Sequence, residues 1–159
     1  MCIAVSGGCL GIEKCVVTSL EGVGILSTGE GSRIDMAESE VYGCGNVGLA
    51  VERGGHASLK SCNVSEARDA GILVRGTHSL VVAHECRIMG SRRQGVACES
   101  SSRARLSRCL VAGSWMQGVA CGSGGEAEVM ECEVEGSVLA GVGAYGAGSR
   151  LSLVNMHIV

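Results

Sequence analysis

Apolar residues of this chain occur in short stretches in which every second position is apolar, and glycine and serine separate the stretches. Such alternation is typical of β-strands with one buried face, and the glycines and serines between the stretches are typical of turns. The pentapeptide Gln-Gly-Val-Ala-Cys occurs twice, at residues 94–98 and 117–121. Its recurrence indicates an internal repeat.

A glycine followed by an apolar residue begins each copy of the repeat. Successive glycines follow one another at a nearly constant interval of about 23 residues. Met1-Cys2 lies one further interval upstream of the first of them and fits the same phase. The second and fourth positions of each copy are predicted to point into the core, so the first copy would contribute Cys2 and Ala4. The glycines are Gly24, Gly48, Gly71, Gly95, Gly118 and Gly141.

A small residue lies nine positions before each glycine and forms a second anchor, namely Cys15, Ser39, Cys62, Cys86, Cys109 and Cys132. The positions just before these anchors carry mostly opposite charges in neighbouring copies, which predicts a solvated outer ladder. A period of about 23 residues with short strands and no helical stripe predicts one coil of a parallel β-solenoid per repeat. The leucine-rich-repeat signature is absent, and so are the Asn-Gly and Asp-Gly dipeptides that hairpin sandwiches favour.

The two anchors together resemble the right-handed parallel β-helix repeats of the pectin-lyase-like superfamily. The resemblance covers almost the whole chain and implies an all-β, right-handed parallel β-helix of six to seven coils. That superfamily includes polysaccharide lyases and hydrolases, and also non-catalytic β-helix modules of intracellular proteins. One departure is that cysteines stand at the corner where many family members have a column of asparagines.

The composition fits a narrow interior. The 159 residues include 26 Gly, one Trp, two Tyr and no Phe or Pro, so small aliphatic side chains and cysteines must fill the core. Residues 1–159 are expected to form a single β-helix domain. Because the repeat begins in phase at residue 1 and still runs at the last residues, the domain is expected to belong to a longer protein or an assembly, with partners or neighbouring domains at its uncapped ends. The net charge of −3 does not suggest nucleic acid as a partner.

Ten cysteines bear on compartment and on chemistry. The first residues lack the basic and apolar regions of a signal peptide, and no stretch approaches the length of a membrane span. Reduced thiols in an intracellular, cytoplasmic protein without membrane contact are therefore expected. The column of cysteines is interpreted as small buried apolar side chains, whereas Cys9 and Cys44 are placed in turns as surface thiols.

Candidate catalytic and metal-binding residues are few. Related enzymes generally present several aspartates from neighbouring coils, whereas this chain has only Asp35 and Asp69, in different columns. His56 and His78 occupy nearly equivalent turns and are interpreted as polar turn residues, because a metal site needs further ligands. No metal, no cofactor and no enzymatic activity are therefore expected. A cluster of glutamates in one coil is interpreted as a charged outer face, and it comprises Glu126, Glu128, Glu131, Glu133 and Glu135.

The turn that precedes each glycine varies most between copies, and variable loops on a rigid scaffold commonly carry recognition. It contributes a predicted protein-contact patch made of Arg92, Arg93, Trp115, Met116, Val138 and Leu139. The alternative is that Trp115 folds back and covers its own coil. The function predicted first is a scaffold or protein-interaction module within a larger protein or complex. The alternative is a carbohydrate-binding or carbohydrate-active β-helix that holds an extended sugar chain in a groove along one face.

Overall fold

The computed structural model describes residues 1–159 as a solenoid of 19 parallel strands and no helix. Accordingly, it contains no helix that is long and apolar enough to cross a membrane. Each coil comprises up to three strands, one in each of three sheets that we name A, B and C. The predicted all-β parallel β-helix is therefore confirmed, with about seven coils.

The three sheets run the length of the solenoid, and every neighbouring pair of strands is parallel. Sheet A consists of the first parts of β1 (Ile3–Glu13) and β3 (Ile25–Ala37), followed by β5 (Leu49–Glu52), β8 (Ile72–Arg75), β11 (Val96–Glu99), β14 (Gln117–Gly122) and β17 (Ala140–Tyr145). Sheet B consists of the remaining parts of β1 and β3, followed by β6 (His56–Lys60), β9 (Leu80–His84), β12 (Arg103–Ser107), β15 (Glu126–Met130) and β18 (Arg150–Val154). Sheet C consists of β2 (Val16–Val17), β4 (Glu40–Tyr42), β7 (Asn63–Ser65), β10 (Arg87–Met89), β13 (Leu110–Ala112), β16 (Glu133–Glu135) and β19 (His157–Ile158).

Identical repeat positions stack directly on one another, which confirms the predicted inward columns in six of the seven coils. Ile72 pairs with Val96, and Val96 pairs with Val119; all three are completely buried. The first coil departs from the prediction. Ile3 pairs with Ile25, so Cys2 lies one position before the column and is exposed, and Ala4 faces outward. The first coil has no glycine to mark where its strand begins, and its phase is one residue away from the expected one.

The glycine that opens each coil is required by packing. At Gly48 a Cβ atom would lie 2.7 Å from the carbonyl oxygen of Gly71 and 2.7 Å from Cγ1 of Val64. The next coil and sheet C both approach the backbone at this point, so no side chain fits. A Cβ atom would meet the same two kinds of neighbour at Gly24, Gly71, Gly95 and Gly118.

The corner between sheets B and C depends on the second anchor. The residue before each anchor has a φ of about 50°, as Glu85 does at 53°, which turns the chain sharply. The anchor side chain then bridges two coils: the backbone N–H of Cys109 donates to Sγ of Cys132 at 3.2 Å, and the N–H of Cys15 donates to Oγ of Ser39 at 3.0 Å. Each thiol also donates within its own coil, as Cys86 does to the carbonyl of His84 at 3.2 Å. The anchors are thus small polar bridges as well as core residues, except in the first coil, where Cys15 is exposed and the predicted burial is wrong.

Each of the two predicted surface thiols differs from the prediction in one respect: Cys44 lies in a turn but is buried, and Cys9 is exposed but lies in a strand. Cys44 is only 1% exposed, because its side chain turns inward against Gly24 and the core. Burial also raises its pKa. The prediction of a surface thiol at Cys44 is therefore wrong. Cys9 is exposed as predicted, but it lies within β1 on the outer face of sheet B and not in a turn.

Replacing a packed glycine should cost far more than replacing an open one. Gly48→Ala is expected to lower the free energy of unfolding by about 1–3 kcal/mol, because the added methyl group overpacks the coil interface. Gly11→Ala is the matched control, since nothing lies within 4 Å of its Cβ position, and it should change stability by less than about 0.5 kcal/mol. Urea unfolding followed by circular dichroism measures both. Equal effects of the two variants would contradict the packing explanation.

Thiol labelling of the folded protein should distinguish two classes of cysteine. Cys2, Cys9 and Cys15 are exposed and should react quickly with maleimide, whereas the other seven cysteines are buried. Burial raises the pKa of Cys44 and disfavours its reactive thiolate. Mass spectrometry should therefore count three labels before denaturation and ten after it. The variant Cys9→Ser should lose one fast label, and rapid labelling of more than three thiols in the native protein would refute this description.

Candidate functional site

Small, covered residues occupy the central outward positions of sheet A, and we call this recessed column the groove; a cavity opens in it beside Ala120. The floor of the groove is the outward column of small or apolar residues between the two inward columns. Although Ala97 faces away from the core, it is only 2% exposed, and Ala120 is only 7% exposed. Around Ala120, Met116, Gln117 and Tyr145 line the same cavity. The floor comprises Leu26, Ala50, Leu73, Ala97, Ala120 and Gly143.

One side of the groove is formed by the turns between sheets C and A, which we call the ridge. The ridge comprises Arg68, Asp69, Arg92, Arg93, Trp115, Met116, Val138 and Leu139 and therefore includes the whole predicted patch. Hydrogen bonds stack these turns: the N–H of Trp115 donates to the carbonyl of Ser91, and the N–H of Val138 donates to that of Ser114, both at 3.0 Å. The structure therefore brings the predicted patch residues together.

Exposure on the ridge bears on the two interpretations of its tryptophan. Trp115 is 63% exposed and does not cover its own coil. Val138 is 72% exposed and Leu139 is 63% exposed, so the ridge ends in an apolar stretch. Met116 is half-buried, and it lines the groove beside Gln117. The ridge thus presents apolar side chains to solvent and one thioether to the groove.

The charges beside the groove differ between its two sides. On the ridge, Arg93 lies 3.6 Å from the carboxylate of Asp69, while Arg68 and Arg92 have no acidic partner, so the ridge is positive. On the opposite side, Arg75 is bound to Glu52 at 2.7 Å. These two residues belong to an outward column that forms the far wall of the groove and comprises Thr28, Glu52, Arg75, Glu99, Gly122 and Tyr145.

A buried amide lies inside the groove. Gln117 is 9% exposed, and its Nε2 donates to the phenol oxygen of Tyr145 at 3.1 Å. Its Oε1 is buried and has no hydrogen-bond partner. An unpaired buried acceptor typically costs about 1–3 kcal/mol of stability. An arrangement of this kind calls for an explanation beyond packing.

Sequence reasoning missed Gln94 and Gln117, because it interpreted the repeated pentapeptide as architecture alone. A signal was present, however. The position before the coil-opening glycine is apolar in the other coils, as at Val47, Ala70 and Ala140, and is polar only in these two. Since the fold accepts an apolar side chain at this position, a polar side chain there is not required by the architecture and indicates another role.

The remaining candidates lie outside the groove. Asp35 pairs with Arg33 on the outer face of sheet B, so the structure does not bring it beside Asp69 on the ridge. His56 and His78 line a cavity of about 410 Å³ at the corner between sheets A and B, together with Arg103.

The glutamate cluster forms a charged outer face, as predicted. Glu126 and Glu128 are bound at 3.1 Å to Arg103 and Arg105 of the preceding coil. Glu131 is bound at 2.9 Å to Arg108, within the predicted outer ladder. Exposed ion pairs of this kind each contribute less than about 1 kcal/mol. They are consistent with a solvated surface.

Three parallel sheets, single-residue columns and a lengthwise outer groove define the chain as a parallel β-helix protein. A family model described as "Right handed beta helix region" matches residues 1–158, and the chain belongs to that family. The comparison with curated proteins finds no match.

Solved structures of similar fold include an enzyme. The periplasmic alginate epimerase AlgG superposes with a TM-score of 0.81 at 13% sequence identity, over 99% of this chain and 42% of that one. A double mutant of AlgG gives a TM-score of 0.82 at 12% identity, over 99% and 43% of the two chains. This chain thus spans less than half the length of the structures that it matches.

The comparison contradicts the expectation that the chain has no enzymatic activity, because AlgG, whose solved structures match it, is an enzyme. That expectation depended on the shortage of aspartates. A small number of aspartates argues only against catalytic sites that are built from several aspartates. In addition, this chain spans less than half the length of the enzyme, so the count does not describe an enzyme of that length.

The intracellular, cytoplasmic localisation is contradicted as well, since AlgG is periplasmic. That expectation depended on the lack of a signal-peptide pattern in the first residues and on the cysteines being reduced. Seven of the ten are buried, and a buried thiol resists oxidation in any compartment. The cysteine content therefore reports the shape of the core and not the redox state of the surroundings.

Proposed function

We propose that this chain is the β-helix of a carbohydrate-active protein and that it binds an extended polysaccharide along the groove of sheet A. The observation that carries the proposal is this groove, on a solenoid whose fold matches an alginate epimerase over 99% of the chain. A polysaccharide is a linear ligand, and the groove is linear because equivalent positions recur along the axis about every 4.8 Å.

The groove supplies the kinds of contact that sugars use. Glu99 and Gln94 provide polar groups that can bond to hydroxyls, and Met116 and Tyr145 provide apolar surface beside them. Sugars have both kinds of surface, with hydroxyls at the ring edge and C–H groups on the ring face. A narrow apolar floor with polar walls is suited to both.

The charges favour an acidic polysaccharide. Arg92 has no acidic partner, and Arg93 is 55% exposed beside Asp69, so the ridge can pair with carboxylates of a uronate chain. Trp115 adds an exposed aromatic face beside these arginines. A polymer of uronates, such as alginate or polygalacturonate, is therefore the ligand class we propose.

The scaffold function predicted first has less support than this carbohydrate function. The protein-contact role of the ridge stays a prediction, motivated by the exposed Trp115, Val138 and Leu139. The same residues form the rim of the groove. A variant of the ridge consequently tests both roles.

Removing the ridge contacts should weaken binding of uronate polymers. Trp115→Ala combined with Arg93→Ala is expected to reduce affinity for alginate and polygalacturonate about tenfold or more, because a stacking face and a cation are lost together. The remaining binding should fall with added salt, since exposed charges are screened. Affinity electrophoresis and calorimetry measure the effect, with a neutral β-glucan as comparison ligand.

Arg105→Ala is the matched control, because Arg105 is an exposed, ion-paired arginine on sheet B, and it should bind like the wild type. Absence of binding to any of these polymers by the wild-type protein would refute the carbohydrate proposal. Deuterium uptake at uronate carbons and formation of unsaturated products report any turnover in the same samples. Retention of every protein partner by the double variant would contradict the protein-contact prediction.

A further inference from the structure

Tyr145 occupies an unusual position in the groove. It is the last residue of β17 and belongs to the outward column of the far wall. Its side chain does not point straight into solvent but folds back along its own strand. Its phenol oxygen meets Gln117 in the preceding coil at 3.1 Å. The ring therefore lies across the groove.

Gly143 makes this ring position available. A Cβ atom at Gly143 would lie 2.6 Å from ring atoms Cε2 and Cζ of Tyr145, so the ring sits directly above this glycine. Other coils have alanine or leucine at the same floor position, as at Ala97 and Leu73. One side of the ring rests on the strand, and the residue is still 50% exposed.

Gln117 anchors the ring. Its amide is nine-tenths buried and donates to the phenol, while its own Oε1 is unpaired. An apolar side chain at this position would avoid the unpaired acceptor, and Val47 and Ala70 occupy it in earlier coils. The chain thus has a buried polar residue at a position that is apolar in most other coils, and the amide of this residue holds one aromatic ring in place.

Open space adjoins the ring. Gly122 lies between Glu99 and Tyr145 in the same column, and a Cβ atom there would meet nothing closer than 4.0 Å. The resulting cavity of about 280 Å³ is bounded by Gln94, Glu99 and Tyr145, among others. A carboxylate and an anchored aromatic ring thus face one slot.

We propose that this slot is a subsite for one pyranose unit, which stacks its C–H face on Tyr145 and donates hydroxyl hydrogen bonds to Glu99. Because Glu99 is negative, the unit is bound with its hydroxyl edge and not a carboxylate towards that side chain. Gln117 is a positioning residue, since it acts through the ring. The subsite rests on the proposed polysaccharide function and adds the place and the orientation of one sugar unit.

Variants of the ring and of its anchor test the subsite. Tyr145→Ala should weaken binding of alginate oligomers or of cello-oligosaccharides, whichever the wild type binds, about tenfold. Tyr145→Phe keeps the ring and should retain most of the affinity. Tyr42→Ala is the matched control, because Tyr42 is the other tyrosine, is 45% exposed and lies on sheet C, away from the groove. Thermal unfolding establishes that each variant is folded.

Gln117→Met distinguishes positioning from a purely structural role. The substitution removes the unpaired acceptor while keeping a similar volume, so the melting temperature should rise or stay the same. The ring loses its anchor, so affinity should fall several-fold. A fall in both stability and affinity would assign Gln117 to the architecture and overturn the positioning role.

The outcomes separate this subsite from the function on which it rests. Wild-type binding that Tyr145→Ala leaves unchanged would overturn the subsite and leave the groove proposal intact. Independently, the ring protons of Tyr145 should shift in NMR spectra on titration with each oligosaccharide, while those of Tyr42 should not. If no sugar binds and no ring proton shifts, both proposals are wrong.

Discussion

The backbone hydrogen bonds between successive coils are the constraint on which the rest of this structure depends. Each coil donates to and accepts from its neighbours in register, so every coil must return to the same point one repeat later along the chain. Wherever two coils approach most closely, the side chain must be absent or small. Gly48 meets the first condition. Cys62 and Ser39 meet the second, and their side chains also donate hydrogen bonds to backbone carbonyl groups. The repeated residues are thus consequences of stacking.

The same constraint separates the interior from the surface energetically. Side chains such as Ile72 and Val111 are completely buried and stack on the aliphatic side chains at the equivalent positions of neighbouring coils, so burial of small aliphatic groups stabilises each coil against the next. Exposed ladders such as that of Arg108 with Glu85 and Glu131 add little. Since stability comes from the inward columns, the outward positions of sheet A and the ridge can change without loss of the fold. Recognition is expected there.

The difference between inward and outward positions also explains which parts of the structure can be predicted from the sequence. Inward columns are dictated locally, by period-two alternation and the coil-opening glycine, and they are predictable wherever that glycine is present. The first coil lacks it, and the repeat alone assigns Cys2 inward although it is exposed. The burial of Cys44 depends on the direction in which a turn points, which sequence spacing does not report. The contact of Gln117 with Tyr145 spans 28 residues and two columns, so no single repeat contains it.

Activity and compartment could not be inferred from counts of aspartate or cysteine.

The repeated pentapeptide combines residues that the architecture requires with one residue that can take part in binding. Its glycine, valine and cysteine are architecture, and Val96 and Cys98 repeat at Val119 and Cys121. Its glutamine is not. The 28-residue step that brings Tyr145 to Gln117 brings Gly122 to the corresponding place beside Gln94, so one copy meets an aromatic ring and the other meets open space. The two identical pentapeptides on adjacent coils are therefore flanked differently: an aromatic ring lies beside Gln117, and open space lies beside Gln94. The slot thus arises because the outward residues differ between coils. The backbone hydrogen bonds beneath them are the same in every coil.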